Sequence, residues 1–566
     1  MRPCTYFLRF SRNLLVARYY SVDIKPKSGL WKPDNTVISP YKPLTIPNIS
    51  LSEYIWQNVE KWEHKTAVVC AATNQSLTYN QLYNYSRNFA ANLRTKLKIR
   101  DYDVVYVMMP NSIEFPVAVL GALEAGAAVT TVNPASTIRE LVHTLLSTNP
   151  KVIITTAEFC YHIKEALNSI SKNVPVIAVR NTKDLPNSVN SYQELAEDNN
   201  VDQSVLKVVR RYAEDVALLP FSSGTTGIPK QVELTNRNLI ASCMTQNIAE
   251  IKVHNETTSS HQDTIMAFLP FFHMYGMAIL LLHNLSVGAK LVILPRFQPA
   301  TFLSAMKDHK VDVIYAVPPT VLFLGSYPLV SKNHLESVRN LIWSAAPMAP
   351  EDFGKCLNHF RKDLKVTEMY GSTEALLVSV SLPNRQNAGH ALSNIELKIV
   401  GLEHGQNLGP NEVGGLLVRG PQIMKNYRND YEATKNAFDE NNWFKTGDLA
   451  YIDKDGALKI VDRIKELIKV KGFQVAPTEL ENILKEHPSV LDAVVIGVPD
   501  KNMGEAPRAF IILKDEVQEK DIIDFVNDKV ADYKKIKSIV IINEIPKSPS
   551  GKVLRKVIKE TYSSFK

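Results

Sequence analysis

Phe221-Ser222-Ser223-Gly224-Thr225-Thr226-Gly227-Ile228-Pro229-Lys230 is the stretch from which the rest of the chain becomes readable. It follows an apolar run of strand length at 216–219. Gly224 and Gly227 let the backbone turn its N–H groups to one side, four hydroxyls add donors, and Lys230 supplies a cation, so the loop can cradle a polyphosphate. The spacing of a Walker A loop is absent, which counts against a P-loop NTPase. A strand that runs into such a loop belongs in a layered α/β domain.

Working outward, short β-branched runs at 104–109, 152–155, 176–179 and 311–317 read as buried strands, each bounded by turn residues. Thr78 and Gln81 can form a capping box for a helix whose core face carries Leu82, Tyr85, Phe89 and Leu93. A Pro-rich lead-in (Pro26, Pro33, Pro40, Pro43, Pro47) precedes this pattern, and the composition changes near Asp462-Arg463-Ile464-Lys465. Beyond that point a helix from Pro477, strands at 493–498 and 509–513, a helix near 522–530 and a strand at 538–542 are expected. The expected fold is α/β: a large multi-subdomain α/β N-terminal domain over 35–462, then a small mobile α+β C-terminal domain over 466–566.

At 566 residues the chain needs two or more cores, and 45% apolar with 22% charged residues is the balance of a folded protein. No transmembrane segment is expected, since the best candidate, 117–132, is interrupted by Glu124. The net charge of +7 comes from Lys and Arg spread along the chain without a block, so nucleic-acid binding is not implied. Five cysteines far apart, with no CxxC pair, indicate buried thiols in a reducing compartment. Residues 1–22 carry Arg2, Arg9, Arg12 and Arg18, no acid and interleaved apolar side chains, the composition of a mitochondrial transit peptide cut before Ser21; a cytoplasmic protein with a basic tail is the alternative. The final Ser563-Ser564-Phe565-Lys566 is not a peroxisomal address.

The segment from Ser222 to Lys230 resembles the phosphate loop of the adenylate-forming superfamily, which includes acyl-CoA synthetases, 4-coumarate:CoA ligases and beetle luciferases. Five further segments match that superfamily in order. Pro270-Phe271-Phe272-His273-Met274-Tyr275-Gly276 resembles the motif whose histidine lies near the acyl carboxylate and the mouth of the thiol tunnel, and Ser344-Ala345-Ala346-Pro347-Met348 resembles the loop along the adenine and acyl pocket. In Met369-Tyr370-Gly371-Ser372-Thr373-Glu374 the resemblance implies adenine stacking by Tyr370, a phosphate contact by Thr373 and Mg²⁺ on Glu374. A hard cation that bridges phosphate oxygens does favour a carboxylate and waters. Trp443 to Asp448 and Asp462 to Pro477 imply Asp448 and Arg463 on the ribose hydroxyls and Lys465 as the hinge, with Lys469, Lys471 and Gly472 in the segment that reaches the site for thiol transfer. Pro546-Lys547-Ser548-Pro549-Ser550-Gly551-Lys552-Val553-Leu554-Arg555 resembles the terminal motif with the catalytic lysine, here Lys552, a cation suited to relieving repulsion between carboxylate and α-phosphate.

The resemblance implies an ATP-dependent acid–thiol ligase that uses Mg²⁺, adenylates a small-molecule carboxylic acid and transfers the acyl group to coenzyme A. Gln231, Asn236, Ser344 and Ser372 depart from the usual pattern without removing a catalytic group. Residues 415–427 favour the 4-coumarate:CoA ligase and luciferase branch. The apolar run Ala375-Leu376-Leu377-Val378 points to a medium-chain or longer fatty acid. The alternatives are an aryl acid of the 4-coumarate kind, a carrier-protein phosphopantetheine acceptor, a luciferase-like oxygenase and a nucleotide-binding pseudoenzyme.

Overall fold

Thr78 begins the first long helix, Tyr79–Thr95: its hydroxyl accepts the Gln81 N–H at 3.2 Å, and the Gln81 side chain accepts the Thr78 N–H at 2.9 Å. Leu82, Phe89 and Leu93 are fully buried and Tyr85 half-buried, as the 3.6-residue period requires. The structure, a computed structural model, describes residues 29–566 except 181–184, 199, 223–228, 346–353, 355, 386, 471–472, 501–502, 549–550 and 563–566. The expected transit segment, 1–22, lies outside the described residues.

Two nine-stranded sheets dominate the described residues, joined by two five-stranded ones. The first has a parallel centre formed by Ala128–Thr131, Val104–Met108, Val152–Thr156 and Val176–Val179. Its antiparallel edge is the hairpin of Phe221–Ser222 with Lys230–Thr235, so the phosphate loop is the connection of that hairpin. The second sheet sets Thr264–Ala267, Val313–Ala316, Asn340–Trp343 and Lys365–Ser372 side by side, all parallel. Their carboxyl ends therefore open on one edge and deliver Pro270–His273, Val317–Pro319, Ser344–Ala345 and Tyr370–Glu374 to it, the crevice where open α/β sheets bind ligands.

The third sheet is antiparallel and carries Phe444–Ile452 paired with Leu458–Arg463. The fourth is built on the long hairpin of Val490–Asp500 with Gly504–Leu513, flanked by Ser538–Ile541 in parallel and by Ile468–Val470. A separate apolar cluster, with Val470, Leu480, Val495, Ile511 and Ile522, fills it.

Local departures from the sequence reading have local causes. The run expected at 311–317 is a strand only over Val313–Ala316, because the Val311 N–H closes the preceding helix on Met306 O. The helix expected near 522–530 spans Glu519–Asn527, with Glu519 and Asp521 at its positive first turn. The stretch 117–132 divides between helix Phe115–Glu124 and strand Ala128–Thr131, and no helix among the described residues is long and apolar enough to cross a membrane.

Candidate active site

Asp448 is the centre of the site. It sits on the strand Phe444–Ile452 directly opposite Arg463, 3% exposed, with its Oδ1 2.6 Å from Arg463 Nε. Its Oδ2 accepts the Tyr370 hydroxyl at 2.5 Å, and its N–H donates to Thr446 Oγ1. Burial raises the Asp448 pKa, an effect that the Arg463 guanidinium, the Tyr370 hydroxyl and the Lys552 ammonium oppose. Burial lowers the Arg463 pKa, but Asp448 and its acidic neighbours outweigh it and raise it overall; burial and then Asp448 raise the Tyr370 pKa, against the Arg463 charge.

Glu374 lies with Thr373 in the turn between the strands Lys365–Ser372 and Leu376–Val380. The turn is tight at Gly371, where an added Cβ would stand 1.8 Å from Leu376 O. Met424 N–H donates to Glu374 O at 2.7 Å, and the Tyr427 hydroxyl donates to Glu374 Oε1 at 3.1 Å. Tyr427 comes from the short strand Asn426–Tyr427, which pairs with Lys230–Thr235 and so places Glu374 beside the phosphate hairpin. There the Lys230 ammonium is 3.8 Å from Asp430 and 5.3 Å from the Tyr427 ring centre, and the buried Ser222 hydroxyl faces that of Tyr427 outside hydrogen-bonding geometry.

His273 is held between the two large sheets. The Asn111 side chain donates to Leu269 O and accepts the Phe271 N–H, while Thr131 Oγ1 donates to Phe272 O. Tyr275 N–H donates to His273 Nδ1 at 3.2 Å, which assigns the ring proton to Nε2. Gly276 permits this fold-back, since a Cβ there would stand 2.1 Å from Pro270 O. The ring keeps a little solvent contact, yet burial first and the charge of Lys552 second push it down to about 4, so it is neutral at pH 7.

Lys552 joins this cluster from the far end of the chain. Gly551, just before it, packs on the second sheet's edge, where an added Cβ would lie 3.1 Å from Pro319. Enclosure by the cleft and then the Arg463 and Lys465 charges lower the Lys552 pKa, while Asp448 and Glu374 raise it. The lysine as a whole keeps substantial solvent exposure. Both descriptions hold in an open cleft, where protein surrounds the ammonium on several sides while the side chain stays wet.

The structure thus brings Tyr370, Gly371, Thr373, Glu374, Asp448, Arg463, His273 and Lys552 to one cleft, with Ser222 and Lys230 at its phosphate side. Ala345, two residues past the neighbouring strand Asn340–Trp343, has φ of 83°, a left-handed conformation that costs a non-glycine residue about 1–3 kcal/mol. Lys465 is exposed in the turn Ile464–Glu466 between the third and fourth sheets. Lys469 is exposed on the strand Ile468–Val470, its N–H donating to Glu505. Ser223, Gly224, Thr225, Thr226, Gly227, Ala346, Pro347, Lys471 and Gly472 lie outside the described residues. Sequence reasoning missed Tyr427, whose one signal was its place at the end of 415–427, and Asn111, which had none.

No group of three or more side chains among the described residues could by itself hold a metal ion. A single carboxylate with a free oxygen, as in Glu374, still suits Mg²⁺, which takes one or two carboxylates with phosphate oxygens and waters.

A buried carboxylate paired with a guanidinium and a tyrosine hydroxyl, a glycine-bearing hairpin beside a glutamate, and a lysine from the chain's last domain together fit an adenylate-forming enzyme. The chain belongs to the AMP-binding enzyme family, whose model matches residues 55–428, with the AMP-binding enzyme C-terminal domain matching 479–552. Members of this family act on a small-molecule acid with ATP, Mg²⁺ and coenzyme A, and so does this chain. It is 37% identical to 4-coumarate–CoA ligase CCL1 of Humulus lupulus, over 91% of this chain and 94% of that one. It is 34% identical to a probable 4-coumarate–CoA ligase 1 of Dictyostelium discoideum, over 92% and 97%. Among solved structures, o-succinylbenzoate CoA synthetase from Bacillus subtilis, in complex with its acyl-adenylate intermediate, superimposes with a TM-score of 0.75 at 26% identity, over 91% of this chain and 99% of that one.

Proposed function

We propose that the protein is an AMP-forming aryl acid–CoA ligase of the 4-coumarate kind. The observation that carries this is similarity at 34–37% identity to 4-coumarate–CoA ligases over nine-tenths of the chain. The apolar run 375–378, from which a fatty acid was expected, is otherwise accounted for: Ala375, Leu376, Leu377 and Val378 are buried in the core of the second sheet. Its apolarity is what a central position between layers requires.

In the first half-reaction the acid's carboxylate oxygen bonds to the α-phosphorus of ATP as the bond to the β-phosphate oxygen breaks, giving acyl-AMP and pyrophosphate. Asp448 and Arg463 hold the ribose hydroxyls, the Tyr370 ring takes the adenine, and Ser222 and Lys230 face the phosphates. Lys552 stands where it relieves repulsion between the two anions, a charge stabilisation worth most in the transition state. Glu374 would hold Mg²⁺, which when bound would supply neutralisation of the leaving phosphates. Neutral His273 acts as a hydrogen-bond donor through Nε2 rather than as a cation. In the second half-reaction the coenzyme A thiol, losing its proton, attacks the acyl carbon, the thioester forms and AMP leaves.

Acid-dependent pyrophosphate exchange and thioester formation by the purified full chain, over 4-coumarate, cinnamate, benzoate and octanoate, test this. We expect the aryl acids to be turned over in preference. Turnover of octanoate alone would return the aliphatic reading, and thioester formation only on a carrier protein would replace coenzyme A as the acceptor.

A further inference from the structure

Helix Phe115–Glu124 has its two ends in different surroundings. At its start the Phe115 ring packs on Phe271, 5.4 Å away, so this end adjoins the turn that carries His273. Its last residue, Glu124, lines a separate cleft of about 210 Å³, ten residues or about 15 Å along the helix. No side chain that lines this second cleft belongs to the catalytic one.

Two side chains there have hydrogen-bonding capacity to spare. The Glu124 side chain, 8% exposed, accepts the Trp56 indole N–H on Oε1 at 2.7 Å, while Oε2 has only Arg87, 3.6 Å away and outside hydrogen-bonding reach. The Arg87 guanidinium commits Nε to Gln203 at 2.8 Å and lies 5.5 Å from the Tyr83 ring centre, and its terminal nitrogens make no hydrogen bond among the described residues. Gln203 is fixed in turn by a 2.7 Å bond to Asn88. The fork of Arg87 is thus held in place with its terminal N–H groups unpaired, the arrangement that carboxylate recognition uses.

Room and charge decide what completes these groups. The cleft is far larger than the single water, about 30 Å³ in the liquid, that could bridge them, and Leu123, Leu206 and Val209 give it an apolar side beside Trp56. The other charged groups that face Glu124 are already engaged. Glu53, exposed in the first turn of helix Leu51–Trp56, accepts from the Ser50 N–H and hydroxyl. Arg211 donates to Gly126 O and Val216 O and lies 3.7 Å from Asp215. A cationic ligand would sit against the unpaired Arg87, whereas an anion is drawn to it. Burial pushes the Glu124 carboxyl up to about 7, and a carboxyl that keeps its proton offers Oε2–H as a second donor to that anion.

We infer that this cleft is a second, non-catalytic site for a small organic carboxylate, its anionic end held by Arg87 and Glu124 and its apolar body against Trp56, Leu123 and Leu206. The inference does not depend on which acid the catalytic cleft takes.

Benzoate is the probe, in isothermal titration of the purified full chain without ATP. A benzoate site should appear that Arg87→Met weakens by about tenfold or more, since that change removes charge-assisted hydrogen bonds. Benzoate stays ionised from pH 6 to 8.5, whereas Glu124 loses its proton around pH 7. Affinity at this site should therefore fall above pH 7, toward about tenfold per pH unit, because the proton that Glu124 donates is lost. Glu124→Gln keeps a donor that cannot ionise, and should bind benzoate with one affinity over the whole range. Absence of benzoate binding, or binding that Arg87→Met leaves unchanged, overturns the inference, the second because benzoate then occupies the catalytic cleft alone. Tighter binding of benzylamine than of benzoate overturns it too, by making the cleft a cation site. An affinity that does not change with pH, or a fall that persists in Glu124→Gln, also rejects it, since Glu124 then donates nothing to the anion.

Discussion

Glu124→Gln should stabilise the protein above neutral pH and do nothing for it in acid. Glu124 ends helix Phe115–Glu124 with a side chain 8% exposed, beside a cleft of about 210 Å³ that Trp56, Tyr83 and Arg87 help to line. Its Oε1 accepts the Trp56 indole N–H at 2.7 Å, but Oε2 is 3.6 Å from Arg87, beyond hydrogen-bonding reach. Burial outweighs both partners and pushes the carboxyl from 4.5 up to about 7. The sign follows from linkage. Between those two values the unfolded chain has lost its proton while the folded one keeps it, so ionisation favours unfolding progressively as pH rises and fully above pH 7. At about 1.4 kcal/mol per pH unit the penalty reaches about 3 kcal/mol. Glutamine keeps the acceptor for Trp56 and has no charge to bury, and its amide opens toward water in the cleft. Urea unfolding of both proteins at pH 4.5, 6 and 8 should show no advantage for the variant at the lowest pH, and about 3 kcal/mol in the first transition at the highest. A difference that does not change with pH, or that shrinks as pH rises, would refute the assignment of the penalty to this carboxylate.

Lys552→Ala should reduce acyl-AMP formation by a factor on the order of 10² or more while the fold persists, and near-normal pyrophosphate exchange would remove Lys552 from the reacting centre. Tyr427→Phe takes away the hydroxyl that orients Glu374; hydrogen bonds to charged groups are worth about 1.5–3 kcal/mol, so adenylation should fall about tenfold or more and recover in part at raised Mg²⁺. Absence of any Mg²⁺ dependence would make Tyr427 merely structural. Lys465→Pro fixes φ in the turn between the third and fourth sheets and should leave pyrophosphate exchange while thioester formation collapses; equal loss of both half-reactions would deny Lys465 the role of pivot. The acid-free segment 1–22 is proposed to direct import into mitochondria, and cytosolic fluorescence of a fusion bearing residues 1–29 would count decisively against it.

Periodicity and capping chemistry act over a few residues, so the helix begun by Thr78 and Gln81 and the strands near Val104, Val152 and Val176 could be read directly. The phosphate hairpin and the acidic, aromatic and basic side chains around it were legible too, because binding a nucleotide restricts residue type at short spacing. What the sequence could not rank was proximity. Asp448 and Arg463 are 15 positions apart and become partners only through the register of two antiparallel strands. Tyr427 reaches Glu374 because a two-residue strand joins the phosphate hairpin, and no local pattern announces that pairing. The run 375–378 shows the converse: its apolarity was plain, but the same composition serves a substrate wall or a sheet interior, and only burial between layers decided for the interior. The rings of His254 and His283, from a loop and a helix far apart in the sequence, meet edge to face at 5.1 Å in the interior, a contact that is a property of tertiary packing alone.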